Sequence, residues 1–267
     1  MREVTSEECK KLQLNILLNV AQFCDEHNIK YSLAYGTLIG AIRHKGFIPW
    51  DDDIDVIMMR DDYERFVSLY HDDFFQLIDG KHHANHLHIR VSDMSTQIVF
   101  PHSAIKRKLY NGGVWVDVFP IDNVPQNDKD YRSFMKQIYY LCHLQKFGEL
   151  SFKSVWKGNL ISKVSHGFLY LIVKPFVRPI GVLSEKMMSK YNGKHSEKVA
   201  NVSLWYLKYP SFNSSLMNET VDVEFEGHYF KALKNYDEFL SGIYGDYMTP
   251  PPQNERAPRH DYIAYWR

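Results

Sequence analysis

The sequence predicts a mixed α/β fold, and three observations carry that prediction. A capping box, Thr5-Ser6-Glu7-Glu8, precedes apolar residues at helical spacing. Short apolar runs bounded by turn residues recur over the first 125 positions. Within them, Asp53-Ile54-Asp55-Val56 alternates charge with apolar bulk, and one aspartate interrupts the apolar run Val114-Trp115-Val116-Asp117-Val118-Phe119.

The elements follow in order. With Thr5 at the N-cap and Glu8 at N3, the apolar residues Leu14, Leu17, Leu18, Ala21 and Cys24 extend a first helix to about His27. Residues 31–35 read as a short strand ending at a Gly36-Thr37 turn. Residues 37–44 then form one or two helical turns, whose first N–H groups point at whatever lies beside the glycine. A loop over 45–50 leads to a strand over 53–59, and Asp61 caps a helix reaching Tyr70. Further strands are expected at 87–91, 96–100 and 114–119, the last closed by Pro120. Residues 128–146 read as a helix, and 155–194 as largely helical with a break near Pro175 and Pro179. A hairpin is expected around Glu226-Gly227, a closing helix over 236–244, and a loop from the Pro250-Pro251-Pro252 run onward. These elements divide the chain into a core over 1–125, a helical elaboration over 126–200 and a C-terminal part over 201–267 that packs back on the core.

Composition excludes several function classes. Lys plus Arg and Asp plus Glu number 32 each, so no basic field argues for nucleic acid. Cys9, Cys24 and Cys142 are too far apart for a zinc motif and odd in number for a disulfide framework, which fits a reducing compartment. The first residues lack the apolar stretch of a signal peptide, and no uninterrupted apolar run reaches the roughly 18 residues of a membrane span. The expectation is a cytoplasmic protein, soluble or held peripherally at the inner face of the cell membrane.

The acidic strand sets the chemistry. Residues i and i+2 of a strand share a face, so Asp53 and Asp55 present their oxygens side by side, with Asp51 and Asp52 crowding the same spot. Two carboxylates about 4 Å apart repel by roughly 4 kcal/mol at an effective dielectric near 20, which at a buried strand end calls for a cation. Oxygen ligands without thiolates suit Mg²⁺ or Mn²⁺, with a phosphate completing the shell. Asp117 supplies a third carboxylate, and three acidic residues beside a Gly-Thr turn meet the needs of phosphoryl or nucleotidyl transfer. The plainer alternative is a solvated acidic loop or a structural Ca²⁺ site. Arg43, His44 and Lys45 lie between the glycine turn and the acidic strand and are candidates for holding phosphate. Arg90 is placed for the same task or for pairing with a carboxylate, Asp93 among them. The histidines at 82, 83, 86 and 88, and Lys106-Arg107-Lys108, read as exposed loop residues.

The run from Gly36-Thr37-Leu38-Ile39-Gly40-Ala41-Ile42-Arg43-His44-Lys45 through Gly46-Phe47-Ile48-Pro49-Trp50-Asp51-Asp52-Asp53-Ile54-Asp55 resembles the signature of the LicD family. These are bacterial phosphotransferases, distantly similar to the fukutin-related proteins. Support continues at Arg90 with Thr96, over 114–120, and at Tyr244-Gly245-Asp246-Tyr247-Met248 with the terminal His260, while Ser95 departs from the Asn often found there. The resemblance implies a nucleotidyltransferase-like fold and transfer of phosphocholine from CDP-choline to a sugar hydroxyl. The acceptor it implies is a lipid-linked teichoic acid or other surface-glycan precursor, and CMP is released. It places Asp53, Asp55 and Asp117 at the metal-ligand positions, with Gly36 and Thr37 against the donor phosphates. CDP-glycerol, CDP-ribitol or CDP-ethanolamine donors, ordinary nucleotidyl transfer, and a non-catalytic binding module are the alternatives.

Two further expectations concern ligands. Aromatic faces bind quaternary ammonium ions for about 0.5–2 kcal/mol each, so Trp50 and Trp115 are candidates for seating choline, against a role in core packing. Between Lys163 and Lys190, residues such as Phe168, Leu169, Leu171 and Ile172 interleave with Lys174, Arg178 and Lys186. That pattern fits a membrane-interface surface or a core helix with snorkelling lysines.

Overall fold

A computed structural model describes residues 1–78, 87–101, 112–156, 159–194, 196–204, 206–257, 260 and 262–267. His82, His83, His86, the 106–108 basic triplet and Arg259 lie outside the described residues.

Helix α1 (Ser6–Glu26) starts as the capping box requires, with Thr5 accepting from the Glu8 N–H and the Glu8 side chain accepting from the Thr5 N–H. Its apolar face, including Ile16, Leu17, Val20 and Cys24, is buried. Strand β1 (Ser32–Leu33) leads directly into α2 (Tyr35–His44), which is longer than expected and begins at Tyr35 rather than after the glycine. Strand β2 (Asp55–Met59) is followed without a loop by α3 (Arg60–Leu69). Asp61 therefore sits inside the first turn of α3 and does not cap it. The cap position is Met59, and Asp61 can act only through the helix dipole.

The strands β3 (Phe75–Ile78), β4 (Ile89–Asp93), β5 (Thr96–Val99) and β6 (Trp115–Asn123) come next. With β1 and β2, strands β3, β4 and β6 form the order β1-β2-β6-β4-β3 of a mixed sheet that reaches seven strands, while β5 lies outside it. To it are added β7 (Lys198–Ala200), paired with β6, and β8 (Phe212–Asn213), paired with β7. Only the β2–β6 pairing within this sheet is parallel. Val56, Ile57, Val91, Val116 and Val118 are fully buried in the central strands, as a sheet covered on both faces demands.

Pro120 does not end β6, which runs on to Asn123. The Asp117 N–H points to β2, donating to Ile54 O at 2.9 Å. By alternation the missing N–H of Pro120 faces the other flank. There β4 pairs only as far as Val118 and β7 takes over at Asp122, so no ladder bond is lost.

Helix α4 (Asp128–Glu149), capped by Asn127, opens the helical part. It continues through α5 (Phe152–Val155), α6 (Leu160–Val173), a 3₁₀ turn at Lys174–Phe176 and α7 (Val177–Met188). Tyr131, Phe134, Met135 and Ile138 of α4 and Met188 of α7 join the same buried cluster as the sheet. The hairpin β9 (Thr220–Phe225) and β10 (His228–Leu233) turns through Glu226 and Gly227, both at positive φ, and α8 (Tyr236–Tyr244) follows. The tail, expected as a loop, ends in β11 (Ile263–Trp266), antiparallel to β5. The two enclose a smaller cluster of Val4, Cys9, Ile98, Val114, Trp115 and Ala264.

Candidate active site

Sheet register lines up the first part of the site. Asp55 on β2 stands opposite Asp117 on β6, and Asp117 stands opposite Arg90 on β4. Paired residues on adjacent strands share a face, so two carboxylates and a guanidinium form one row across the sheet. All three are buried, at 8%, 4% and 6% exposure, and buried charge is tolerated only when compensated.

Asp117 is compensated in full. Its Oδ1 accepts from Arg90 Nε at 2.7 Å and lies 2.8 Å from His88 Nε2, while its Oδ2 accepts from Trp115 Nε1 at 2.8 Å. Burial alone would raise its pKa. The charges of Arg90 and His88 and their hydrogen bonds outweigh that, holding the carboxyl well below the usual range. Arg90 in turn lies over the Trp115 indole, 4.1 Å from its centre. The indole is 2% exposed and packs against Tyr262. The face of Trp115 therefore already carries a cation. His88, expected to be an exposed loop residue, is instead drawn in beside Asp117; its place in the expected 87–91 strand, two residues before Arg90, was the signal available.

Asp51, Asp52 and Asp53 form the second part, just before β2. The strand expected from Asp53 begins at Asp55, because the preceding backbone is engaged elsewhere. The Asp51 N–H donates to Ile48 O, and Asp52 O accepts from Gln13 Nε2 at 2.8 Å. Asp53 is thus positioned by the approach to the strand and not by the ladder. Gly36 lets the Asp51 carboxylate approach closely, since a Cβ there would push that side chain aside. This contact puts the N-terminus of α2, with its positive dipole end, against the acidic run. Thr37 is buried, and its Oγ1 accepts from the Asp55 N–H at 2.9 Å. Tyr35 allows this tight entry with a left-handed φ of 50°, held by Asn201 Nδ2 at 2.7 Å and Tyr209 Oη at 2.9 Å.

The C-terminal segment closes over the cluster. His260 donates its backbone N–H to Asp52 Oδ2 at 3.2 Å. Its Nδ1 lies 3.1 Å from Asp52 Oδ1 and 3.7 Å from Asp53 Oδ2. Ligand atoms of Asp52, Asp53 and His260 all fall within 4.8 Å of one another. Burial and the neighbouring Asp51 push the Asp53 pKa up, with Asp117 and Asp52 adding to the shift and His260 opposing it. Burial would lower the His260 pKa, but the Asp52 hydrogen bond and the surrounding carboxylates raise it overall. An excess of anionic oxygen that drives protons onto its own members is the environment a divalent cation relieves. The residues present therefore fit one.

The basic candidates separate. Arg43 donates from Nη1 to Tyr247 O at 2.8 Å and from Nε to His44 Nε2 at 2.9 Å, and it feels the charge of Arg256. Arg256, which the sequence did not single out, lies over the half-buried Trp50 ring at 4.9 Å. Lys45 ends α2 at a left-handed φ of 59°, about 13 Å along the axis from Gly36 by helical rise. Its carbonyl accepts from the Glu226 N–H, tying the hairpin turn to the loop after α2. Thr96 holds a turn, accepting from the Val114 N–H, while Ser95 donates to Asp93.

Comparison with known proteins bears on this arrangement. The family profile described as LicD/FKTN/FKRP, nucleotidyltransferase domain, matches residues 28–156, which contain Gly36, the acidic run, Arg90 and Asp117. The chain is 33% identical over 285 residues to the lipopolysaccharide cholinephosphotransferase LicD of Haemophilus influenzae, covering 99% of each protein. An uncharacterized protein of Rickettsia typhi is 40% identical over 63 residues, 23% of this chain and 20% of its own. The chain belongs to the LicD family of transferases.

Proposed function

We propose that this protein transfers phosphocholine from CDP-choline to a sugar hydroxyl of a surface glycan or its lipid-linked precursor, releasing CMP. The observation that carries the reading is the end-to-end similarity to a lipopolysaccharide cholinephosphotransferase. The site geometry supports it residue by residue. Asp53 and Asp55, with Asp52 and His260 close by, would hold a Mg²⁺ or Mn²⁺ ion together with a share of Asp117. Such an ion, when bound, offsets the charge of the donor phosphates. The N-terminal turn of α2 around Gly36 and Thr37 offers N–H groups to the same phosphates.

In the reaction the acceptor hydroxyl attacks the phosphorus that bears choline. The new P–O bond forms as the bond to CMP breaks, and the hydroxyl proton passes to a carboxylate. Asp117, held ionised by Arg90 and His88, acts as a fixed charge that positions. Arg43 and Arg256 supply positive charge beside Trp50. The half-buried Trp50 face holds the Arg256 guanidinium in this structure, and choline would seat there by displacing it.

Calorimetric titration of CDP-choline in Mg²⁺, beside CDP-glycerol and CTP, tests the reading. Metal-dependent binding selective for the choline nucleotide is expected, and it should disappear in Asp53→Asn. Preference for CDP-glycerol or CTP would replace the named donor and leave the metal site standing.

A further inference from the structure

We propose that the outer face of α6 and α7 is a docking surface for an anionic lipid bilayer, on which the protein lies without crossing it. The two helices are apolar on both sides. Their inner side is packed, with Gly167, Tyr170 and Val173 of α6 and Ser184 and Met188 of α7 buried. Their outer side exposes Val164, Phe168, Leu171 and Ile172 on α6, which recur at helical spacing, and Val182 and Leu183 on α7. Phe168 and Leu171 are 68% and 66% exposed. Phe152 and Trp156, stacked at 5.3 Å and partly exposed, pack against Gly167 and Tyr170 at the edge of this surface. A helix apolar all round needs a second apolar partner, and none of the described protein covers this side.

Charge identifies the partner. The whole chain is neutral, yet residues 151–194 contain eight Lys and Arg against one acidic residue, Glu185. On α7 the exposed Arg178, Val182 and Lys186 fall four apart, so basic groups flank the apolar ones on a single row. Apolar side chains set between lysines and arginines, with a Trp and a Phe at the edge, match the acyl boundary and anionic headgroups of a bilayer surface.

The stretch Lys163–Tyr191 is long and apolar enough to cross a membrane by length and composition, with mean hydropathy 1.3 over its most apolar window. Its packing argues for lying flat. A Cβ at Gly148 of α4 would strike Val177, and one at Gly181 would meet Gln145 Nε2 at 3.0 Å, so α4 and α7 are in close contact. The helices are also broken at Lys174–Phe176, where Lys174 Nζ donates to Gly148 O at 2.9 Å. Withdrawal into a bilayer would strip these contacts.

Vesicle binding by this surface does not depend on the proposed reaction and needs no donor nucleotide. The full chain would be floated with vesicles of phosphatidylcholine containing about a third phosphatidylglycerol, and with pure phosphatidylcholine. Binding to the anionic vesicles is expected, at least tenfold stronger than to the neutral ones and weakened by 0.5 M NaCl. Phe168→Ser with Leu171→Ser should cut binding at least tenfold at unchanged melting temperature, because both residues are exposed. Arg178→Gln with Lys186→Gln should reduce it by roughly fivefold per charge removed. Absence of binding to any vesicle overturns the proposal. So does a dimer in solution that Phe168→Ser with Leu171→Ser dissociates, which would make a second copy the partner of this face.

Discussion

Asp53 and Asp117 are close in space and opposite in proton affinity, and the difference comes from their neighbours. Asp117 has a guanidinium, an imidazole and an indole N–H on its oxygens, whereas Asp53 faces Asp51 and Asp52 with only His260 in opposition. A raised pKa means that ionising Asp53 costs folding free energy. The cost is absent below its unfolded pKa of about 4, grows as pH rises, and is complete above its folded pKa. Without divalent ions, Asp53→Asn should therefore raise the melting temperature at pH 8 and leave it unchanged at pH 3.5. Saturating Mg²⁺ should reverse the order. At a hundred times its Kd an ion adds about 2.7 kcal/mol to the wild type, roughly 5–10 °C at this size, and nearly nothing to the variant. Equal responses of the two proteins to Mg²⁺ in thermal melts would remove Asp53 from the proposed metal site. At Trp50, replacement by leucine should raise the donor KM about 3- to 30-fold with kcat retained, the range a single aromatic–ammonium contact supports. An unchanged KM would leave the ring a packing role.

At the level of elements, strands and helices were legible where local pattern and tertiary need agreed. The capping box fixed α1, the Glu226-Gly227 pair fixed the hairpin, and the alternating and apolar runs marked β2, β4 and β6. Pattern failed where long-range pairing decided. Pro120 lies mid-strand because its flank falls between two partners, and the tail becomes β11 because β5, far earlier in the sequence, offers it an edge. Nothing local marked the buried Arg60–Asp122 pair either. Its two 2.7 Å bonds join the start of α3 to the end of β6, and Asn192 adds a third at 2.5 Å. Asp122→Ala should destabilise the protein by about 3–5 kcal/mol in denaturant melts, since it strands a buried guanidinium. In the helical part, burial pushes the Glu149 pKa up to about 7, with its Oε2 unpartnered. Glu149→Gln should stabilise at pH 8, where the native carboxyl must ionise against that burial. Between pH 4 and 5 the gain should vanish. After discounting for partial exposure the effect is about 1 kcal/mol, or 2–4 °C.

Across the whole molecule, the site is assembled from both ends of the chain. The sequence exposed the acidic run, Asp117 and Arg90 because charges interrupting apolar strands are conspicuous. It could not show that His260 crosses 208 positions to reach Asp52, or that Arg256 covers Trp50. That closure depends on β11 pairing with β5 and on the small cluster in which Ala264 packs with Ile98, Val114 and Trp115. Trp115 in turn donates to Asp117 and underlies Arg90, so the tail and the central row of charges share one support. Removing residues 259–267 should therefore do two separable things. It should lower the melting temperature, by loss of the β11 pairing and exposure of the small cluster. It should also diminish the Mg²⁺-induced rise in melting temperature, because His260 leaves the acidic cluster. His260→Ala in the full-length chain should reproduce the second effect without the first. If the truncated protein kept the full Mg²⁺ response, the C-terminal segment would be a brace for the sheet and no part of the site.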